Sequence, residues 1–141
     1  MISIRKTLLD DFRRIQPNAE RTAFLTGRLL EHGVDVLMHS MGTMTGINIL
    51  GQPIIIADAF PYLDGRYVWA IMDEDLPKYF RYIVRALLHS MKFFEGETLY
   101  AHAEHTHIEG ARLLQFLGLT MVKPNDVRYG SYVFDLYKKV P

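Results

Sequence analysis

The amino-acid sequence predicts an α/β (α+β) protein built on a single mixed, largely antiparallel sheet of six to seven strands with helices on both faces. Three observations carry that prediction. Strand-like segments at 46–50, 53–60 and 66–72 are separated by the turn dipeptides Gly51-Gln52 and Asp64-Gly65, the pattern of an antiparallel meander. The longest helical stripe, Leu76, Phe80, Ile83, Leu87 and Met91, follows directly, with Val84 and Leu88 widening it. Strand and helix patterns then alternate, so the helices must cover a sheet rather than one another.

Each element has a local reason. Residues 2–6 alternate as a short strand, and Thr7-Leu8-Leu9-Asp10 has capping-box spacing for a helix over about 8–16 that Pro17 stops. A second helix over about 19–32 puts Phe24, Leu25 and Leu29 on one side and closes at Gly33. Residues 34–44 read as either a short helix or a loop. Pro53 suits the first position of a strand, and Asp64-Gly65 is a type I′ turn signal. Asp73, Glu74 and Asp75 precede the long helix, Pro77 falls near its first turn, and Gly96 ends it. Residues 99–105 form a strand with Ala101 and Ala103 on one face. Thr106-His107-Ile108-Glu109 is a second capping box, opening a helix to Leu117 that Gly118 closes. The last strands, 119–123 and 131–139, are expected to pair across a connection at 124–130.

Composition narrows the function classes. A chain of 141 residues is expected to form one domain over 1–141, without internal repeat or linker. Sixteen Lys and Arg balance sixteen Asp and Glu, and the balance holds within each half, which excludes bulk nucleic-acid binding through a basic excess. No cysteine means no disulfide scaffold, thiol nucleophile or iron–sulfur cluster. The first residues lack the apolar core of a signal peptide and no apolar run spans a bilayer, so a soluble protein with no membrane partner is expected.

The element order, over nearly the whole chain, resembles the GNAT (GCN5-related N-acetyltransferase) fold. The segment His107-Ile108-Glu109-Gly110-Ala111-Arg112-Leu113-Leu114-Gln115-Phe116-Leu117-Gly118-Leu119 is similar to the family's Asn-x-x-Ala-x-x-x-Tyr-x-x-Leu-Gly-Phe in length, ending and place. Within that family the chain is most similar to the small GNAT-like internal virion proteins of short-tailed bacteriophages. The shared features are the aromatic strand Tyr67-Val68-Trp69-Ala70-Ile71-Met72, the acids after it, and the basic-aromatic turn Lys78-Tyr79-Phe80-Arg81.

That resemblance implies where chemistry would sit. A GNAT enzyme holds the acetyl-CoA pyrophosphate on backbone N–H groups of a glycine-rich loop at the start of the helix after strand four, where the helix dipole favours an anion. In an active enzyme Ala70, Ile71 and Met72 would contact the pantetheine, Lys78 and Arg81 the phosphates, and Asp73, Glu74 or His107 would handle protons. Yet residues 72–81 hold no glycine, Pro77 removes an N–H, and the three acids repel pyrophosphate. Leu114 stands where many members place a tyrosine acid. The resemblance therefore implies a phage protein without acetyl transfer and with no cofactor. It would act in virion assembly or inside the virion, in the host cytoplasm during infection, through contacts with virion or host proteins. The alternative is an N-acetyltransferase using acetyl-CoA on an amine acceptor.

Two further patterns have plainer readings. His102, Glu104, His105 and His107 tempt a metal assignment, but strand alternation divides them between two faces and no metal site is expected. Lys78, Arg81, Arg85, His89 and Lys92 form a basic stripe on the long helix, read as its solvated face or as a surface for an acidic partner or for nucleic acid packed nearby.

Overall fold

The computed structural model describes residues 2–15, 44–47, 50–73 and 75–141. The helix expected over 19–32, the ambiguous stretch before Met44 and the acid Glu74 lie outside the described residues. The elements are β1 (Ser3–Lys6), α1 (Leu9–Arg14), β2 (Met44–Ile47), β3 (Pro53–Tyr62), β4 (Gly65–Met72), α2 (Leu76–Met91), a 3-10 turn (Lys92–Phe94), β5 (Leu99–Glu104), α3 (Ile108–Phe116), β6 (Thr120–Tyr129) and β7 (Tyr132–Lys139). The strands form one seven-stranded sheet in the order β1-β2-β3-β4-β5-β7-β6. β4 and β5 run parallel, while β1–β2, β2–β3, β5–β7 and β6–β7 are antiparallel. This is the mixed, mostly antiparallel sheet that the sequence predicts. The chain packs as two compact units, residues 1–59 with 70–83 and residues 60–69 with 84–141.

In the first unit the run Ile54-Ile55-Ile56 is buried on both faces of β3, as a continuous apolar strand should be. Gly46 of β2 sits against that strand. A Cβ there would fall 2.9 Å from Ile55 Cγ2 and 3.1 Å from Ile2 Cγ2, so close packing requires the glycine. The start of α1 is tied down by Asp11, which is almost fully buried. Its carboxylate takes both prongs of the Arg5 guanidinium at 2.6 Å, the Leu8 N–H at 2.7 Å and the Thr45 hydroxyl at 3.2 Å. The expected capping box is therefore displaced by one residue. Leu8 is the N-cap and Asp11 the reciprocating acid, while the Thr7 hydroxyl bonds Thr45 Oγ1 at 2.7 Å.

In the second unit the β3–β4 loop is Leu63-Asp64, one residue earlier than the Asp64-Gly65 signal suggests. Leu63 takes the positive φ of 47°, and Gly65 already belongs to β4. Gly65 is needed for another reason: a Cβ there would lie 1.9 Å from the Thr98 carbonyl oxygen, where Arg66 N–H donates to the same oxygen at 2.9 Å. α3 begins at Ile108 with His107 as cap residue, not Thr106, and it buries Leu113. The Thr106 hydroxyl and N–H instead both donate to Glu104, at 2.6 and 3.0 Å. The connection expected at 124–130 is mostly strand. β6 runs on to Tyr129, absorbing extra residues as bulges between Met121 and Lys123 and between Lys123 and Val127. In the part of α2 that belongs to this unit, Leu88, expected inward, is 44% exposed.

Two substitutions and a control test these constraints. Burial alone would raise the Asp11 pKa, but the Arg5 fork, the Leu8 N–H and Thr45 outweigh it and hold the carboxyl below the usual carboxylate range. Its stabilisation is thus complete above the unfolded value of about 3.9 and is lost as pH falls through the lower folded value. Asp11→Asn should cost about 3 kcal/mol in urea denaturation at neutral pH and should remove part of the acid-induced decline seen below about pH 4. Gly65→Ala should cost about 3 kcal/mol by forcing backbone apart, whereas Gly51→Ala, at φ 77° in open space, should cost only about 1 kcal/mol in the same thermal unfolding assay.

Candidate functional site

At the end of β4, Asp73 adds one more bridge to the sheet, its N–H donating to the Ile54 carbonyl at 2.8 Å. The side chain is buried, 3% exposed, and its Oδ2 accepts the Asp75 N–H at 3.0 Å. The carboxylate therefore turns the chain into the first turn of α2, as Asx turns do. Lys78 donates its N–H to the Asp75 carbonyl at 3.0 Å, and its ammonium lies 3.5 Å from the Asp75 carboxylate. Arg81, one turn on, is exposed. Asp73, expected to handle protons only in an active enzyme, is thus buried and accepts a backbone N–H just before the helix.

These residues do not fit a bound pyrophosphate. An anion cradle needs free N–H groups and close backbone approach. Here the Asp75 and Lys78 N–H groups are engaged, Pro77 has none, and no glycine lies between Met72 and Arg81. The buried Asp73 carboxylate also holds the Asp75 N–H immediately before that helix, placing a negative charge close to where the anion would sit.

A second arrangement lies within the other unit, among residues that the sequence does not single out together. Tyr67 of β4 pairs with Tyr100 of β5, and His102 follows two residues along β5. The Tyr67 phenol oxygen is 2.7 Å from His102 Nδ1, and His102 Nε2 is 2.8 Å from Asp126 Oδ2. Lys123 closes the chain, 3.1 Å from Asp126 Oδ1. The His102 and Asp126 side chains are only 12% and 19% exposed. The bond from His102, with that from Lys123, outweighs desolvation and holds the Asp126 carboxyl below the usual range. Asp126 is therefore an acceptor, Nε2 carries the hydrogen, and in a neutral imidazole Nδ1 accepts from the Tyr67 hydroxyl.

Aromatic rings wall this chain. Tyr62 packs edge-on against Tyr67 and Tyr100, each at 5.4 Å between centroids, and Tyr67 lies 5.5 Å from the His102 ring. Tyr100 donates to Asp64 at 2.5 Å, which lowers the Asp64 pKa and raises that of the phenol. The Lys138 ammonium sits 5.4 Å from the Tyr100 ring centre. Trp69, two residues beyond Tyr67 and so on the same face of β4, is buried, and its indole N–H has no partner among the described residues.

Two further histidines, His105 and His107, are held locally. His105 Nδ1 meets Asp135 at 3.0 Å, and Asp135 also accepts the Asn125 N–H at 2.9 Å. His107 stands at the α3 cap as expected, but its side chain makes no cap hydrogen bond. Its ring covers Gly110, where a Cβ would fall 2.7 Å from Nδ1, and Nε2 is 3.7 Å from Glu109. Among the described residues no three His, Asp or Glu side chains gather as a metal site, and no helix is long and apolar enough to cross a membrane.

Comparison with known proteins bears on the fold. No family model and no curated protein matches the chain. Solved structures do. A protein named as a phosphinothricin N-acetyltransferase superposes with a TM-score of 0.72 at 11% identity, covering 99% of this chain and 98% of that one. A GCN5-related N-acetyltransferase from Kribbella flavida gives 0.67 at 16% identity over 99% and 98%. A GNAT-family acetyltransferase from Bacillus anthracis gives 0.67 at 15% over 97% and 92%. The chain has the GNAT fold.

The tautomer assigned to His102 is directly measurable. A long-range nitrogen–proton correlation spectrum at pH 8 should show His102 protonated at Nε2 and bare at Nδ1, and Asp126→Ala should mix the two tautomers. A His102 protonated at Nδ1 in the wild type would contradict the assignment.

Proposed function

We propose that this GNAT-fold chain works without acetyl transfer, through contacts with other proteins, in virion assembly or as an internal virion component of a short-tailed phage. The observation that carries the reading is the buried Asp73 carboxylate, which holds the Asp75 N–H immediately before α2. It supplies a negative charge and an acceptor at the point where a GNAT enzyme needs neither, so the protein's own anion competes with pyrophosphate for the helix end. Leu114, where a proton-donating tyrosine is common in the family, supports the same reading. The phage assignment rests on the aromatic β4, the acids after it and the basic-aromatic start of α2. It places the protein in the host cytoplasm during infection and inside the particle or its assembly intermediates.

A second reading, acetyl-CoA-dependent transfer to an amine, is favoured by the names of the structural neighbours, which are N-acetyltransferases. Calorimetric titration separates the two. The purified, folded protein should give no heat of binding with acetyl-CoA or CoA up to millimolar cofactor, and micromolar affinity for either would sink the proposal in favour of the second reading. For the assembly role, deletion of the gene should lower particle yield or the protein should be found in particles or their precursors. Absence from both, with normal yield, would remove that role.

A further inference from the structure

We propose that Tyr67, His102 and Asp126 form a nucleophilic site in which the Tyr67 phenol accepts acyl groups from activated esters. The arrangement meets the geometric signature of an activated nucleophile: a hydroxyl within hydrogen-bond reach of an imidazole that a third group orients. The two distances are 2.7 and 2.8 Å. Asp126 commits Nε2, so the one ring nitrogen left to take a proton is the one facing the phenol.

Two features separate this chain from a histidine that merely fills its hydrogen bonds. First, the carboxylate is delivered by an irregular strand. β6 gives up ladder pairing between Lys123 and Val127, and Asn125 takes a φ of 54°, so that Asp126 reaches His102 across the sheet. Second, the chain ends on a partly exposed phenol, not in the core. The buried Trp69 indole N–H, on the same face of β4, lacks an acceptor among the described residues, and the carbonyl oxygen of an acyl group is an acceptor of the kind it lacks.

The step balances without a cofactor. The Tyr67 oxygen attacks the ester carbonyl and forms a new carbon–oxygen bond as its proton passes to His102 Nδ1. The bond to the aryl oxygen breaks, and the leaving phenolate carries away the electron pair. His102 then returns its proton to solvent. The product is an aryl ester on Tyr67. None of this uses the start of α2, so the site goes beyond the protein-contact reading, and its failure leaves the acetyl-CoA titration to decide that reading alone.

The test is labelling of the full chain with 4-nitrophenyl acetate, followed by peptide mass mapping. Hydroxylamine distinguishes phenol esters, which it cleaves, from lysine amides, which it does not. One acetyl ester should concentrate on Tyr67 in preference to Tyr82, which is 45% exposed and has no imidazole at hand among the described contacts. His102→Gln should slow Tyr67 labelling by about 100-fold, within the range general-base catalysis supplies. Asp126→Asn should slow it less, with circular dichroism confirming that each variant is folded. Should His102→Gln fail to fold, the wild-type pH profile decides. Rates that level off below pH 8 indicate the imidazole as base, whereas rates climbing toward about 10 indicate an ordinary phenol and overturn the proposal. Labelling spread evenly over the tyrosines, or unchanged by His102→Gln, would overturn it too.

Discussion

The carboxylate of Asp73 accepting the Asp75 N–H belongs to a pattern on which much of the described chain depends. Asp11 accepts the Leu8 N–H, Glu104 that of Thr106, and Asp135 that of Asn125, at 2.7 to 3.0 Å. All four carboxylates are less than a tenth exposed. A buried carboxylate is costly unless donors meet it, and a charge-assisted bond to a backbone N–H contributes about 1.5–3 kcal/mol. Each acid therefore does two things at once. Three satisfy an N–H where the chain enters or leaves regular structure, Asp135 does so at the bulge within β6, and each fixes the direction the chain takes there. The same economy has a chemical consequence at α2, since an N–H bound to an internal carboxylate is no longer presented to an external anion.

That pattern also explains where sequence reading of the fold succeeds and where it slips. Strand alternation and the helical stripe are properties of many residues acting together, so element types and order are legible from them. Caps and turns depend on single bonds. Thr7 and Thr106 both precede a short acidic sequence, and both look like N-caps. In each case the hydroxyl bonds elsewhere, to Thr45 in one and to Glu104 in the other, and the cap moves to the next residue. The glycine of Asp64-Gly65 is similarly read for the wrong reason. Its missing Cβ matters because the Thr98 carbonyl approaches it, which only the pairing of β4 with β5 makes visible.

The two site arrangements differ in legibility for the same reason. The acids before α2 and the missing glycines are adjacent in the chain, so their conflict with an anion is already written there, though not the burial of Asp73. The Tyr67–His102–Asp126 chain joins residues 35 and 24 positions apart. Alternation along β5 identifies the face that His102 shares with Glu104, but not the partner. Pro124, Asn125 and Asp126 have the composition of a loop, and they belong instead to a strand that accommodates extra residues as bulges. A polar residue expected in solvent is thereby turned to meet another strand.

Charge completes the argument. The chain balances sixteen bases against sixteen acids, but the balance is not uniform in depth. Among the described residues four acids are buried on backbone donors, while Lys78, Arg81, Arg85, His89 and Lys92 along and just beyond α2 are all exposed. That helix therefore carries a row of exposed bases although the total charge is zero. A small anion approaching the helix start meets Asp73 and engaged N–H groups. A macromolecule with an acidic surface meets a row of cations on long side chains that need not be held in one geometry to attract it. If the proposed protein-contact reading holds, the exterior bases of this helix are where an acidic partner would meet the protein.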